Sequence, residues 1–398
     1  MSDIERIGAR EWAYVEEVLA SAFRVSAGAV MTTRLERAFA ELVQARYAIA
    51  FVNGTATLHA ALAASGVGPG DEVIVPPLTM ASTALAVLHA GAVPVFADVD
   101  PDTFNLDPAS AAVRITPLTR AIMPVALYGL PADLDALSAL ARERGLRLIE
   151  DDAEAFLARI HGRPIGAIGD AGSFSLQSTK QLTSGEGGLL TTNDGDLAER
   201  IRRFNSLGYA AVGARRGAIA KDAIQDPGYA RHLSLGFNYR MPELCAAVAL
   251  AQVERARELL ERRSAVAHLF STALSGVGWL VPQDTPPGMT HTYWTYALRL
   301  ADSAVGWHEF REAFVAEGGD PFYGAWRLTY QEPLFATGCP LQHPAYEGVY
   351  QDYRPGLCPV AEELQPRLIQ MQTNYWRWDE AERQAEALWR TVARVSTG

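Results

Sequence analysis

The chain has 398 residues, 49% hydrophobic and 20% charged, which is enough apolar material for two domains around a substantial core. Its net charge of -11 excludes the basic excess that a broad nucleic-acid footprint requires. The charged opening Met1–Ile7 lacks the apolar stretch of a signal peptide, no run of 18 apolar residues offers a membrane span, and three cysteines are too few for a disulfide framework, so a cytoplasmic protein is expected.

Residues 12–45 read as helix, loop, helix, and form an outer layer. A strand at 49–52 is followed by a helix from Thr55 to about Ser65, a glycine-rich turn at 66–71 and a strand at 72–77. A helix at 79–90, strands at 93–97 and 121–127, a helix at 132–144 and a strand at 147–151 continue the alternation. Such alternation with short turns predicts an α/β fold, a mostly parallel sheet wrapped by helices. Ligands of these sheets collect at the carboxyl ends of the strands. That rule groups Asn53, Pro77, Asp151 and the segment before Lys180 on one rim.

Residues 209–232, with their Gly, Arg and Lys, read as a mobile excursion. The stretch 242–274 predicts a long helix, interrupted or continuous, whose first part is apolar all round and therefore buried. It turns charged after Val253. A large domain, 1–254, is expected to give way there to a smaller C-terminal α+β domain, 255–398, with a strand at 292–300 and a closing helix at 379–395.

The segment running from Ser173 through Lys180 to Gly188 is the most informative in the chain. A lysine between a hydroxyl-rich strand end and a glycine-rich turn suits a Schiff base with an aldehyde cofactor. Burial lowers the amine pKa, and the free amine then serves as nucleophile and proton shuttle. The turn is not a Walker loop, because no Gly-Lys-Ser/Thr follows the glycines. A pyridoxal phosphate would also need a phosphate cup and an anion beneath its ring nitrogen. Asn53-Gly-Thr-Ala-Thr57 joins a strand to a helix start, where free N–H groups attract phosphate; Ser175 and Ser178 can add hydroxyls. Glu150-Asp151-Asp152 closes an apolar strand and offers the anion. Taken singly, these are an N-capped helix, a solvated acidic loop and a surface lysine. Their order on one sheet carries the argument. Cys339, His343 and Cys358 lack metal-ligand spacing, and no metal site is expected.

Together the motifs resemble the sugar aminotransferases of the DegT/StrS family, which have the aspartate aminotransferase (type I) fold. The resemblance spans nearly the whole chain. It includes Asn53-Gly-Thr with Leu58-His-Ala-Ala-Leu62, the run from Gly68 to Pro77 and the run from Gly91 to Asp98. It continues through Ile149-Glu-Asp151, Gly169-Asp170, the Lys180 segment and Gly236-Phe-Asn-Tyr-Arg-Met241. It implies that the cofactor is pyridoxal 5'-phosphate. Lys180 would bond it and move the proton between substrate Cα and cofactor C4′, and Asp151 would pair with the pyridinium. Gly54, Thr55 and Ser175 would hold the phosphate. Asn238 would reach the phosphate of the neighbouring subunit, giving a homodimer with shared sites.

Two positions depart from the family pattern. Glu154 stands where Gln or His usually lies beside the cofactor phenolate. A carboxylate there is repulsive unless one group is protonated, so Glu154 either turns away or alters the Schiff-base pKa. Met80 stands where an aromatic ring commonly covers the cofactor, and can pack through its sulfur.

The implied reaction is ping-pong. Glutamate or glutamine gives its amine to the cofactor, which passes it to a keto group, in the first reading on a nucleotide-linked keto-deoxy sugar. The Lys180 segment is similar to the aminocyclitol branch too, so an inosose-type keto-cyclitol is the alternative acceptor. More remote readings are a non-catalytic cofactor-binding regulator and a sugar dehydratase on the same scaffold; those dehydratases carry His in place of the lysine. His291, Tyr323 and Arg327, with Trp294 and Trp326, are candidates to line the acceptor pocket, Arg327 as a bidentate fork; packing is the alternative role of each.

Overall fold

The computed structural model describes residues 1–24, 30–217, 225–301, 305–336 and 353–395. Two amphipathic helices, α1 (Ala9–Ala20) and α2 (Met31–Leu42), lead into β1 (Tyr47–Phe51). There follow α3 (Gly54–Ala64), β2 (Glu72–Val75), α4 (Ser82–His89), β3 (Val93–Phe96), α5 (Pro108–Val113), β4 (Thr119–Ile122), α6 (Leu134–Arg144) and β5 (Arg147–Asp151). Side chains of Asn53, Asp107 and Asp133 cap α3, α5 and α6 by accepting N–H groups from the first turn, those of Ala56, of Ala109 and Ser110, and of Ala136. Short β6 (Arg159–Ile160) and β7 (Arg163–Pro164) precede β8 (Ala171–Ser175), β9 (Gly188–Thr192) and α7 (Gly195–Asn205).

The main sheet has seven strands in the order β1-β9-β8-β5-β4-β2-β3. β5 pairs in parallel with β4 and β8, and β2 in parallel with β3 and β4. Only β9 runs against its neighbours, pairing antiparallel with both β8 and β1. The fold is therefore the mostly parallel sheet that the sequence pattern predicts. The reversal has a consequence for function. Residues 176–187 must turn back at the carboxyl end of β8 to enter β9 beside it, and Lys180 lies in that turn. α3 packs close across the sheet: a Cβ on Gly188 would meet the Asn53 carbonyl oxygen at 2.5 Å. Glycine alone lets β9 start beneath the helix N-terminus.

The helix expected over 242–274 is two helices, α8 (Glu243–Glu254) and α9 (Ala256–Ala273), broken at Arg255 (φ -102°, ψ 7°). α8 is apolar on nearly every face and buries Ala246, Ala249 and Leu250 against Leu35, Phe39 and Val18 of α1 and α2. Beyond it lie β10 (Leu280–Pro282), β11 (Met289–Thr290), β12 (Thr295–Leu300), α10 (Trp307–Ala316), β13 (Tyr323–Gly324), α11 (Pro333–Ala336), α12 (Pro359–Leu364), β14 (Leu368–Gln372) and α13 (Trp378–Val395). A second sheet, β10-β12-β14-β13, is antiparallel and encloses its own core of Phe270, Leu298, Phe310, Phe314, Ile369 and Leu388. A third small sheet has the order β11-β6-β7. Leu328, Tyr330, Phe335 and Ala361 do not join the second core; they pack with Phe96 and Val99 in the first.

The excursion expected at 209–232 is tied at its base by a Tyr209–His232 bridge, and residues 218–224 lie outside the described residues. Cys339 and His343 also lie outside them. Among the described residues no helix is long and apolar enough to cross a membrane, and no cluster of His, Cys, Asp and Glu could hold a metal ion.

Candidate active site

Three strand ends meet at one rim. β1 leads into Asn53, β5 ends at Asp151, and β8 ends at Ser175. At the first, Asn53 caps α3 by accepting the Ala56 N–H at 2.8 Å. No acceptor among the described residues meets the N–H groups of Gly54 and Thr55. Ser175 stands directly beside them: a Cβ on Gly54 would come within 2.9 Å of the Ser175 Cβ. A helix start with two free N–H groups, a hydroxyl and no side chain in the way is an anion cup.

The acidic run at the end of β5 is not solvated. Glu150, Asp151 and Asp152 are all buried, and alternation points Asp151 away from the side shared by Glu150 and Asp152, both of which lie against Gly166. Glu150 accepts N–H groups from Gly166 (2.7 Å), Ile168 (2.9 Å) and Gly169 (2.6 Å), so it pins the loop before β8. Asp151 accepts the Thr83 hydroxyl at 2.8 Å and the Ala153 N–H at 3.3 Å. Burial raises the Asp151 carboxyl to about 6, although the Thr83 bond and the charge of Lys180 pull the other way. Asp152 has one buried oxygen without a partner; burial, then the charges of Glu150 and Asp151, holds its carboxyl well above the ordinary range.

Lys180 points inward. Its Nζ lies 3.0 Å from Glu154 Oε1 and 4.6 Å from the centre of the Trp294 ring. Glu154 is buried, and its other oxygen accepts the Tyr128 N–H at 3.0 Å. Tyr128 sits in the left-handed region (φ 61°), unusual for a bulky side chain, and this bond helps to hold it there. Lys180, Glu154 and Asp151 thus share one enclosed region, with the Gly54–Ser175 cup on the same rim.

Other candidates lie differently. Met80 is about half exposed just before α4. His291 is buried, with Nε2 bonded to Gln283 Oε1 (3.0 Å) and Nδ1 accepting the Tyr293 N–H (3.0 Å); burial pushes its pKa down to about 3. Both ring nitrogens are engaged within the protein. Tyr323, Trp326 and Arg327 are exposed. So is Asn238, whose backbone bridges Ser206, on a segment that also exposes Leu233, Leu235 and Phe237. Sequence reasoning missed Thr83 and Tyr128 as site neighbours. The signal for Tyr128 was present: Tyr128-Gly129 is a turn immediately after a predicted strand.

The profile of the DegT/DnrJ/EryC1/StrS aminotransferase family matches residues 5–376. The chain belongs to this family. It is 40% identical over 314 residues to the GDP-perosamine synthase of Caulobacter vibrioides, covering 76% of this chain and 79% of that protein. It is 38% identical over 346 residues to the L-glutamine:2-deoxy-scyllo-inosose aminotransferase of Streptoalloteichus tenebrarius, covering 84% and 79%. Among solved structures, the aminotransferase from Psychrobacter cryohalolentis superposes with a TM-score of 0.85 at 29% identity, over 98% of both chains.

A phosphorylated aldehyde cofactor has three features to satisfy: an anionic phosphate, a basic ring nitrogen and a reactive carbonyl carbon. The anion cup at α3, the buried carboxylate of Asp151, which has no directly bonded cation among the described residues, and an inward lysine at the turn offer one partner for each charged or reactive part of that group.

Proposed function

We propose that the protein uses pyridoxal 5'-phosphate to move an amino group from glutamate or glutamine to a keto group on a nucleotide-linked sugar. The observation that carries this reading is the enclosed Lys180 beside buried Asp151, on the same rim as the Gly54–Ser175 cup. When bound, the cofactor supplies an electron sink for negative charge at the substrate carbon. The rest is the work of this chain. Gly54, Thr55 and Ser175 would hold the phosphate, and an ionised Asp151 would pair with the ring nitrogen and favour its protonated form. Lys180 Nζ would be the amine that holds the aldehyde and, when not so engaged, would carry the proton. Glu154 holds that nitrogen on the inner side of the turn, and Trp294 shields it from water.

The relatives support both acceptor classes, since one is named for a GDP-linked product and another for a cyclitol ketone with L-glutamine as donor. A keto-cyclitol is therefore the second reading. The dimer with Asn238 at a shared site, substrate contacts from His291, Tyr323 and Arg327, a domain division at 254/255 and a cytoplasmic location belong to the same proposal. The engaged nitrogens of His291 restrict it to shaping the pocket. The deciding experiment offers keto-sugar nucleotides and inososes to protein loaded with the amine form of the cofactor and weighs the products. An amino sugar nucleotide is the expected product; an amino-cyclitol alone would shift the assignment to the second reading, and no aminated product from either panel would overturn both.

A further inference from the structure

Three consecutive carbonyl groups of the lysine turn are held by side chains from distant parts of the chain. Arg6 Nη2 donates to Ser178 O at 2.6 Å and to Lys180 O at 2.9 Å. Trp294 Nε1 donates to Thr179 O at 2.9 Å. Arg263 Nη2 makes a longer bond to Lys180 O at 3.5 Å, while its Nη1 reaches Trp294 O (2.9 Å) and Thr373 Oγ1 (3.0 Å). Arg263 thus ties Trp294, which covers the lysine, to the backbone of the lysine itself.

The segment that delivers Arg6 is docked independently of that side chain. Ile4 N donates to Trp376 O at 3.2 Å, Arg255 Nη2 to Glu5 O at 2.5 Å, Gln252 Nε2 to Arg6 O at 2.7 Å, and Arg262 to Ser2 O. The two guanidiniums lie over one ring, with Arg6 Cζ 5.9 Å and Arg263 Cζ 5.6 Å from the centre of Trp376. Neither forms an ion pair with a carboxylate among the described residues. Burial lowers both pKa values, that of Arg263 to about 9, with the charge of Arg6 adding to the effect. Two like charges placed side by side without a counter-ion cost stability. A neutral donor would tie a surface loop at lower cost. What the arginines provide is several strong, directional bonds to the short stretch of backbone from which Lys180 departs.

We propose that Arg6 is a positioning residue for Lys180, so that the N-terminal segment 1–8 is a working part of the active site. The proposal rests on Lys180 being the cofactor-bonding amine. Without Arg6 the turn keeps the Lys180 N–H bond to Gln177 O and the Trp294 bond, and so persists, but the direction of the lysine is no longer fixed.

The test uses full-length R6A and R6Q, with R6K as the conservative rescue and K180A as the control. In protein without added cofactor, amide hydrogen exchange is followed in peptides covering 176–185. Exchange about tenfold faster in R6A and R6Q, partly restored in R6K, is expected. With pyridoxal phosphate added, the absorbance of the lysine adduct forms more slowly; kcat falls about 10- to 100-fold while KM stays within about threefold. If R6A is insoluble, R6Q is judged by the same two readouts. Exchange and kcat both within about twofold of the parent in a folded Arg6 variant, beside an inactive K180A, overturn the positioning role alone. Turnover surviving in K180A overturns the reading of Lys180 and this proposal with it.

Discussion

Lys180 Nζ and Glu154 Oε1 lie 3.0 Å apart in a largely buried ion pair, so the carboxylate that the family pattern made unusual faces the lysine instead of turning away. The same carboxylate holds the N–H of Tyr128, and the left-handed turn at Tyr128-Gly129 is thereby joined to the chemistry of the lysine.

Breaking that pair should leave one charge buried. K180A is expected to lose the visible cofactor band and all transfer activity yet remain folded, with Glu154 left only the Tyr128 N–H. The stability loss should be partly relieved in K180A/E154Q. A double-mutant cycle read by chemical denaturation should give a coupling of about 1–3 kcal/mol. Additive single effects would mean that the pair contributes nothing.

Asp151 predicts a pH dependence. Its folded pKa, about 6, is above the ordinary 3.8, so its contribution to stability is fully present below the unfolded value and is lost as pH rises through about 6. A ligand with a cationic ring nitrogen needs the ionised carboxylate. Affinity for pyridoxal phosphate should therefore fall below pH 6, by about tenfold per unit, when titrated by fluorescence or absorbance. In D151N this dependence should disappear and affinity should be low throughout.

Asp152 carries a similar penalty without a ligand to offset it. Its raised carboxyl pKa makes it destabilising once the unfolded chain ionises. D152N should raise the thermal midpoint, more at pH 8 than at about pH 2.5, because only well below the ordinary value of 3.8 is the acid largely neutral in both states. A midpoint that falls equally at both pH values would show that the neutral acid makes a bond that Asn cannot replace.

Gly54 tests the anion cup. Adding a methyl group there brings a carbon within 2.9 Å of the Ser175 Cβ and narrows the space over the helix start. G54A should weaken binding of pyridoxal phosphate by about tenfold or more. Binding of pyridoxal, which lacks the phosphate, should hardly change. Equal losses for both would place the phosphate elsewhere.

Asn238 tests the shared site. N238A should release cofactor more readily. Neither N238A nor K180A is expected to show full activity alone, and mixing them should restore part of it, since one site of the mixed dimer then keeps both residues. No recovery after subunit exchange, verified by native mass spectrometry, would count against a contribution across the interface.

Much of this protein is legible in its residues because the deciding signals are local. Apolar runs and caps set the alternation of strands and helices. Glycines mark the places where backbone must pass closely; Asn53-Gly54 and Asp151 fall at strand ends and Lys180 in the turn that follows one, at the edge where the rule for ligands in parallel sheets puts them. The break at Arg255 leaves only a change of charge in the sequence, and the structure was needed to show two helices. Tertiary packing alone decided which way the side chains at those strand ends face. It turned Glu154 onto Lys180, buried all three acids from Glu150 to Asp152, and enclosed His291 with a partner on each nitrogen. It also brought Arg6 to the carbonyl of Lys180, 174 residues away. A contact between residues so far apart leaves no periodicity, spacing or turn in the sequence; it exists only because the chain folds the opening segment back onto the lysine turn.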